Sequence, residues 1–333
     1  MDTRFDLTIE EAAALLAAGE VIAFPTETVY GLGADATNAA AIAKIFTAKG
    51  RPGDNPLIVH IGTTEQLPQV VSEIPDTARK LMDAFWPGPL TIILPKQPEI
   101  AENATAGLSS VGVRIPAHPV ALSLLNTVKR PIAAPSANVS GRPSPTQARH
   151  VAEDLSGKIA GILDGGATDI GLESTVLDCT SIPPTILRPG GVTRAQMEAV
   201  IGTVHLAASL GDTEIAPKSP GMKYTHYAPS APLIQVKGDD TLFRRVIADA
   251  QAEGQRVGIL VPEQQGAYAA DVVLTCGSMD DLQSISRRLY DALREFDKHA
   301  LDVIYLAPFY AEDLGEAITN RLQKASGNRV IEE

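Results

Sequence analysis

Residues 21–36 read Val-Ile-Ala-Phe-Pro-Thr-Glu-Thr-Val-Tyr-Gly-Leu-Gly-Ala-Asp-Ala, and they decide which kind of α/β fold the chain can adopt. The apolar run Val21–Phe24 predicts a short strand that stops at Pro25, because proline cannot continue a strand ladder. Gly31–Ala36 matches the G-x-G-x-x-A pattern of dinucleotide-binding turns. The match fails on context, because Pro25–Tyr30 separates the strand from the first glycine and the next predicted helix begins only near Asn38. We therefore reject a dinucleotide-binding turn at this position.

The same stretch contains a polar loop, Pro25–Gly33, directly after the predicted strand. The loop is polar and its sequence is typical of an exposed segment, and loops at strand ends commonly hold ligands. Taken alone, however, the segment favours the alternative, a turn whose hydroxyl groups satisfy nearby backbone groups.

Around this stretch the chain predicts strands and helices in irregular order. A helix is expected over Leu7–Ala18, where Thr8 and Glu11 form a capping box, and Thr193 is expected to cap a helix that ends at Ile201. The predicted strands outnumber the helices, which indicates an α/β (α+β) domain with a twisted mixed sheet rather than a strict βαβ repeat. Further strands are expected at 57–61, 90–94, 111–115, 132–134, 159–163, 174–178 and 185–187, and further helices at 38–48, 75–85, 117–128 and 147–155.

Beyond residue 204 the pattern changes. Residues 205–232 are rich in proline and glycine and predict a long linker, a kind of segment that often serves as a lid. Residues 233–333 alternate strands with helices, which predicts a small Rossmann-like parallel sheet. We therefore expect a catalytic domain at 1–204, a linker or lid at 205–232 and a C-terminal α/β domain at 233–333.

The composition excludes several classes of protein. The net charge of −12 argues against a general nucleic-acid binder. The N-terminus lacks the apolar stretch of a signal peptide, and no run of ~18 apolar residues predicts a membrane span. The two cysteines, Cys179 and Cys276, form no metal-binding pattern, so no metal ligand is identifiable, and we expect a protein of the reducing cytoplasm.

One window of the sequence lacks acidic residues altogether. Residues 103–152 contain no aspartate or glutamate, although about six would be expected at the overall frequency of 40 in 333. The window holds five cations, so we favour a local surface that binds an anion without competition, with a buried stretch plus chance as the alternative. The cations are Arg114, Lys129, Arg130, Arg142 and Arg149.

Three further features mark candidate functional positions. Lys49-Gly50-Arg51 follows a helix, and it suits either phosphate binding or a helix C-cap, or both. His60 lies in an apolar strand, where a satisfied core histidine is the common outcome and ligand contact the alternative. Arg114 also lies in an apolar strand, and a buried arginine needs either a protein acid or an anionic ligand. No acid is near Arg114 in the sequence, so we favour a ligand.

Taken in order, the polar motifs resemble one family, the YrdC-type threonylcarbamoyl-AMP synthases in their long two-domain form. The family's K-x-R and S-x-N sets match Lys49, Arg51, Ser136 and Asn138, which the resemblance implies to be catalytic. Its PTET-V-Y-G-L-G stretch matches Pro25–Gly33, and its P-G-M-K-Y-x-H-Y-x-P linker matches Pro220–Pro229. The match extends over the whole chain, with the strongest motifs before residue 190 and in the linker.

The resemblance implies roles for individual residues. Threonine contacts are expected from Thr28, His60, Arg114, Ser174 and the backbone of Ala134, with Arg114 binding the amino-acid carboxylate. ATP contacts are expected from Lys49, Arg51, Asn55, Ser110, Ser136, Asn138, Ser144, Arg188 and Tyr227. The linker is expected to close over the first domain and bring Tyr227 to the nucleotide.

The reaction that the resemblance implies joins L-threonine, bicarbonate and ATP into threonylcarbamoyl-AMP, with loss of pyrophosphate, as the first step of threonylcarbamoyladenosine formation in tRNA. Mg²⁺ is expected to enter with ATP, and the product is expected to pass to a tRNA threonylcarbamoyl transferase. The rival classes are a double-stranded RNA-binding module of the same fold, with weak RNA binding, and a carbamoyl-transfer module. The latter is disfavoured because the chain lacks zinc-finger cysteines.

Overall fold

The computed structural model describes residues 2–207, 226–263, 266–309 and 314–332. The chain divides into two units. The first comprises Met1–Ser140, Pro145–Asp169 and Glu173–Lys223, and the second comprises Gly141–Ser144, Ile170–Leu172 and Tyr224–Glu333. Two short segments within residues 1–204 therefore group with the second unit.

The first unit is built on a ten-stranded mixed sheet with the order β10-β9-β8-β4-β5-β3-β6-β2-β1-β7. Its strands are β1 (Ile22–Phe24), β2 (Gly31–Asp35), β3 (Ile58–His60), β4 (Leu90–Pro95), β5 (Ser110–Arg114), β6 (Ile132–Ala133), β7 (Gly161–Ile162), β8 (Thr175–Asp178), β9 (Thr185–Arg188) and β10 (His205–Leu206). The mixed sheet confirms the predicted fold class, whereas β10 falls at residues that we had assigned to the linker.

Helices cover both faces of this sheet. Successive strand residues point to opposite sides, and apolar residues on both sides need helices to bury them. Ala23 joins the larger core, whereas Ile22 and Phe24 join a second core with α1 and α4. The helices of this unit are α1 (Ile9–Ala17), α2 (Ala39–Lys49), α3 (Asp76–Phe85), α4 (Pro119–Val128), α5 (Ala148–Leu155) and α6 (Arg194–Ile201), with 3₁₀ turns at Thr64–Gln69 and Glu102–Ala104.

Local capping explains where several helices begin and end. Thr8 and Glu11 form the predicted capping box of α1, and Thr193 caps α6 as predicted. Gly50 ends α2 in the left-handed conformation with φ 60°, which side chains with a Cβ rarely adopt. The C-cap interpretation of Lys49-Gly50 is therefore confirmed.

Strand β2 was not predicted, because glycine is depleted in strands and the sequence of this stretch resembles a loop. Gly33 is needed in the strand, since a Cβ there would lie 2.8 Å from Cε1 of Phe24. The preceding residues, Thr26–Tyr30, are all buried, so the expectation of an exposed loop is wrong. The rejection of a dinucleotide turn holds, because Gly31 and Gly33 lie within a strand.

The second unit contains an all-parallel five-stranded sheet with the order β13-β12-β14-β11-β15. The chain moves one way from β11 to β13 and the other way from β13 to β15, so right-handed crossovers place helices on both faces. This confirms the predicted Rossmann-like architecture; only β15 was missed. The elements are β11 (Leu233–Lys237), α7 (Asp240–Ala252), β12 (Val257–Val261), β13 (Val272–Thr275), α8 (Leu282–Glu295), β14 (Val303–Leu306), α9 (Leu314–Ala325) and β15 (Val330–Glu332).

In the described ranges no helix is long and apolar enough to cross a membrane. Both cysteines are free and buried, and burial raises the pKa of each thiol to about 12. Residues 208–225, which include most of the predicted lid, lie outside the described residues.

Gly190, which follows β9, should be intolerant of any side chain. A Cβ at this position would lie 2.3 Å from the backbone nitrogen of Thr175 and 2.4 Å from the carbonyl oxygen of Glu173. Backbone atoms cannot move aside without distorting β8, so we expect Gly190→Ala to lower the free energy of unfolding by about 3 kcal/mol. Urea denaturation measures this. Gly53→Ala is the matched control, since its nearest neighbours are ring carbons of Phe46 at 3.9 Å, and an equal loss in both variants would contradict the expectation.

Candidate functional site

The site is built around the carboxyl ends of two parallel strands. His60 ends β3 and Arg114 ends β5, and the strand register pairs these two residues. Their predecessors, Val59 and Val113, point into the larger core, so His60 and Arg114 point to the opposite face. Both side chains are buried, so their polar groups must be met by neighbouring protein groups or by a ligand rather than by water.

Arg114 is held by three groups from two segments of the chain, the loop between β1 and β2 and the turn before β4. Its Nε donates to the carbonyl oxygen of Gly88 at 3.1 Å, and its Nη1 donates to Oγ1 of Thr28 at 3.0 Å. Its Nη2 lies 2.6 Å from Oε1 of Glu27. Two of the residues predicted to contact threonine, Arg114 and Thr28, are therefore hydrogen-bonded to each other.

The ion pair with Glu27 corrects our expectation that Arg114 has no protein acid as its partner. We had considered only acids close in sequence, whereas the loop between β1 and β2 brings Glu27 from a distant part of the chain. Glu27 is 4% exposed, and neither of its carboxylate oxygens accepts a hydrogen bond from a described residue. Its contact with Arg114 is thus an ion pair without hydrogen-bond geometry.

His60 has the contacts of a satisfied core histidine, which is the first of the two alternatives that the sequence left open. Its Nδ1 lies 3.2 Å from the carbonyl oxygen of Ile58, as in a satisfied core histidine. Burial, together with the adjacent Arg114 cation, lowers the pKa of His60 to about 3, against the backbone hydrogen bonds that act in the other direction. The imidazole is therefore neutral at physiological pH, and it lies beside Arg114.

Ala134 and Ser174 flank this centre. The N–H of Ala134 donates to the carbonyl oxygen of Ile58 at 2.8 Å, so its amide is already engaged in the sheet. The hydroxyl of Ser174 lies 2.8 Å from that of Thr91, and Nη2 of Arg188 donates to the Ser174 carbonyl oxygen at 3.0 Å. A predicted threonine contact and a predicted ATP contact therefore touch each other.

The K-x-R and S-x-N motifs meet in space. Nζ of Lys49, at the end of α2, donates to the carbonyl oxygens of Ser136 at 2.5 Å and Asn138 at 2.7 Å. The N–H of Ala137, between these two residues, donates to the carbonyl oxygen of Tyr30. Lys49 thus fixes the shape of the loop that carries Ser136 and Asn138.

The remaining predicted ATP residues of the first unit lie near the amino ends of β3 and β5. Nη2 of Arg51 donates to the carbonyl oxygen of Asn55 at 3.3 Å, and Asn55 is fully buried just before β3. The parallel register places the start of β5, where Ser110 lies, at the same edge of the sheet. Ser110 is four residues from Arg114 along the strand, a span of about 13 Å.

Two predicted ATP residues, Ser144 and Tyr227, belong to the second unit. The Tyr227 ring stacks on that of Tyr290 with centroids 5.2 Å apart, and the guanidinium of Arg321 lies 5.7 Å from the Tyr227 centroid. Tyr227 is 6% exposed, and its φ is 67°.

Three of the five cations in the carboxylate-free window are paired with acids in the folded protein. Arg130 pairs with Asp35 at 2.8 Å and Arg142 pairs with Asp297 at 3.1 Å, while Arg114 has Glu27. All three acids lie outside the window, so a gap in the sequence does not become a gap on the folded surface. The window therefore gives no support to the RNA-binding alternative.

Sequence reasoning missed several members of the site. Glu27 was quoted as part of the loop but received no role, and Thr91 and Gly88 carried no sequence signal. The available signal for Glu27 was the need of a buried arginine for an acid anywhere in the chain. Within the described ranges no cluster of three histidine, cysteine, aspartate or glutamate residues is placed to bind a metal.

Comparison with known proteins shows which families and named proteins this chain is similar to. Residues 14–190 match a family model described as telomere recombination, of the Sua5–YciO–YrdC group, and residues 192–327 match one described as threonylcarbamoyl-AMP synthase, C-terminal domain. A Bacillus subtilis protein named threonylcarbamoyl-AMP synthase is 53% identical over 98% of this chain and 95% of its own length. A Pyrococcus abyssi protein of the same name is 50% identical over 97% of this chain and 95% of its own length.

A solved structure of the same family has the same fold as this chain. The crystal structure of P. abyssi Sua5 complexed with L-threonine superimposes with a TM-score of 0.93 at 48% identity. The match covers 100% of this chain and 99% of that chain. The resemblance predicted from the motifs is confirmed.

The neutral His60 should make the stability of the protein depend on pH in a defined window. Its folded-state pKa of about 3 lies below the ordinary value of 6.5, so the unfolded chain binds more protons between these two values. Stability should therefore fall as pH is lowered from 6.5 towards 3, and His60 contributes at most about 1.4 kcal/mol per pH unit. Chemical denaturation across this range measures the slope.

His60→Gln should flatten this dependence, because the amide does not titrate. His299→Gln, at an exposed position, is the matched control and should leave the slope unchanged. An equal slope in the wild type and in His60→Gln would show that His60 is not the group responsible.

Proposed function

Because the chain belongs to the YrdC-type threonylcarbamoyl-AMP synthases in their two-domain form, we propose that it converts L-threonine, bicarbonate and ATP into threonylcarbamoyl-AMP and pyrophosphate. It is an enzyme of the nucleotidyltransferase type. This reaction is the first step of threonylcarbamoyladenosine formation in tRNA, and its product passes to the tRNA threonylcarbamoyl transferase machinery.

The observation that carries this proposal is the contact between Arg188 and Ser174. It brings a residue that we assign to threonine into direct hydrogen-bond contact with one that we assign to the nucleotide. A reaction that links an amino acid to the α-phosphate of a nucleotide needs these two sites side by side. The P. abyssi protein has been solved with L-threonine bound, which supports the amino-acid half of the assignment.

The chemistry proceeds in two steps. The amine of threonine adds to CO₂ derived from bicarbonate, which loses water, and the nitrogen gives up protons as the carbamate forms. A carbamate oxygen then attacks the α-phosphorus of ATP, a P–O bond forms, and the bond to the leaving pyrophosphate breaks. Such a displacement requires alignment and charge neutralisation rather than a covalent nucleophile.

The residues of this chain suit those requirements. Arg114 binds the threonine carboxylate, with Thr28, His60, Ser174 and the backbone of Ala134 around it. Arg51 and Arg188 neutralise phosphate charge, while Asn55, Ser110, Ser136 and Asn138 position the nucleotide. Lys49 holds the Ser136–Asn138 loop in shape through its two carbonyl contacts.

Ser144 and Tyr227 are assigned to the nucleotide on the family pattern alone. Both residues belong to the second unit, and the lid of which Tyr227 was predicted to be part lies largely outside the described residues.

Mg²⁺ has no evident protein site among the described residues, which lack a cluster of metal-binding side chains. We assign Mg²⁺ to the phosphates of ATP, where it neutralises charge when bound, and derive no step from it. The two free, buried cysteines and the need for ATP suit a cytoplasmic enzyme.

Pyrophosphate release tests the proposed function. The purified chain, incubated with ATP, Mg²⁺ and bicarbonate, should release pyrophosphate only when threonine is added. Arg51→Ala and Ser136→Ala should each lower this rate by about 100-fold or more, because each removes a group that positions or neutralises the reacting phosphates. Lys80→Ala, an exposed cation on α3, is the control and should retain full activity.

Release of pyrophosphate without threonine would indicate a different acceptor. No release under any condition, with salt-sensitive RNA binding instead, would place the protein in the RNA-binding class.

A further inference from the structure

Glu27 is a buried carboxylate that the reaction described above does not use. It lies in the loop between β1 and β2, is 4% exposed, and places Oε1 2.6 Å from Nη2 of Arg114. Neither of its oxygens accepts a hydrogen bond from a described residue, and both are shielded from solvent. A buried carboxylate without hydrogen-bond donors lowers the stability of the folded protein unless a ligand supplies a donor.

The surroundings of Glu27 are fixed rather than free to rearrange. Oγ1 of Thr26 accepts from the N–H of Thr28 at 3.3 Å and from the N–H of Val29 at 3.2 Å, which closes the turn around Glu27. The next residue, Thr28, accepts a hydrogen bond from Nη1 of Arg114. Two consecutive side chains of this loop therefore meet the same guanidinium.

Other charges near Glu27 come from different elements. Arg114 faces it from β5, and His118, just before α4, lies close enough for the two to interact electrostatically. Burial lowers the pKa of His118, against the opposing effects of Asp169 and Glu27, so this imidazole tends to be neutral. Arg114 is thus the fixed cation beside the Glu27 carboxylate. A second cation that donates hydrogen bonds would satisfy the oxygens of Glu27.

An α-amino acid supplies that cation. Its carboxylate and ammonium are separated by one carbon, so a dry pocket that binds the zwitterion needs a cation and an anion close together. Arg114 and Glu27 form such a pair, whereas the neutral His60 cannot neutralise an ammonium group. If Glu27 served only to balance Arg114, its oxygens would be expected to take hydrogen bonds from the guanidinium, and they do not.

We propose that Glu27 binds the α-ammonium group of L-threonine while Arg114 binds its α-carboxylate. The proposal rests on the proposed function, because it assigns a further residue to the same threonine site. It makes Glu27 the residue that distinguishes an amino acid from the corresponding acid without the amine.

The test compares two ligands that differ only at the amine. L-Threonine and (R)-3-hydroxybutyrate share the carboxylate, the hydroxyl and the methyl group, and only threonine carries the ammonium. Dissociation constants for both are measured by NMR titration with the wild type, Glu27→Gln and the control Glu99→Gln, an exposed position. We expect the wild type and the control to prefer threonine, and Glu27→Gln to weaken threonine binding by about 10- to 100-fold with little change for hydroxybutyrate.

A purely structural role for Glu27 predicts a different pattern. If Glu27 only orients Arg114, both ligands lose affinity by the same factor, because both bind Arg114 through a carboxylate. A preference for threonine that survives in Glu27→Gln would overturn the proposal. If Glu27→Gln fails to fold, as circular dichroism would reveal, Glu27→Asp answers the same question, because it keeps the charge but shortens its reach.

The proposed function can fail separately. A wild-type protein that binds no threonine at all would contradict the synthase assignment itself. A wild-type protein that binds threonine and releases pyrophosphate, but whose preference does not depend on Glu27, would remove only the role of this residue.

Discussion

The burial of one guanidinium group organises the candidate site of the first unit. Arg114 ends a central strand and is 3% exposed, so its charge must be met inside the protein. It is met by the carbonyl oxygen of Gly88, the hydroxyl of Thr28 and the carboxylate of Glu27. Two loops from different parts of the chain are therefore held around the end of one strand, where we propose that an amino-acid carboxylate and ammonium bind.

The other cations of the site act on the backbone in the same way. Lys49 donates to the carbonyl oxygens of Ser136 and Asn138, and Arg188 donates to that of Ser174. Each cation thereby fixes a loop while adding positive charge near the place where phosphates are expected. This arrangement suits a displacement at phosphorus, because the groups that neutralise the developing charge are positioned before the reaction begins.

Much of the fold could be predicted from local signals. Capping residues such as Thr8 and Thr193 marked helix starts, and the alternation after residue 233 predicted the parallel sheet. Strand β2 could not be predicted, because its glycines are selected by the close approach of Phe24 from a neighbouring strand. That is a tertiary constraint without a local pattern.

In the candidate site, too, some residues could be predicted from local motifs and others could not. The motifs identified Lys49, Ser136 and Arg114, and the structure brings Lys49 and Ser136 into contact. The acid that pairs with Arg114 escaped prediction because charge balance in a folded protein is set by spatial neighbours. Asp35, which pairs with Arg130, and Asp297, which pairs with Arg142, illustrate the same point for two cations of the carboxylate-free window.

We propose that threonine binds beside Arg114 at the carboxyl ends of β3 and β5, and that the nucleotide lies next to it and extends along the Ser136–Asn138 loop towards Asn55 and Ser110. A crystal structure of this chain with L-threonine and a non-hydrolysable ATP analogue tests it most directly. We expect the threonine carboxylate within hydrogen-bond distance of Arg114, and the nucleotide beside Asn55, Ser110 and the Ser136–Asn138 loop. Threonine bound away from Arg114, or a nucleotide bound away from that loop, would contradict the account.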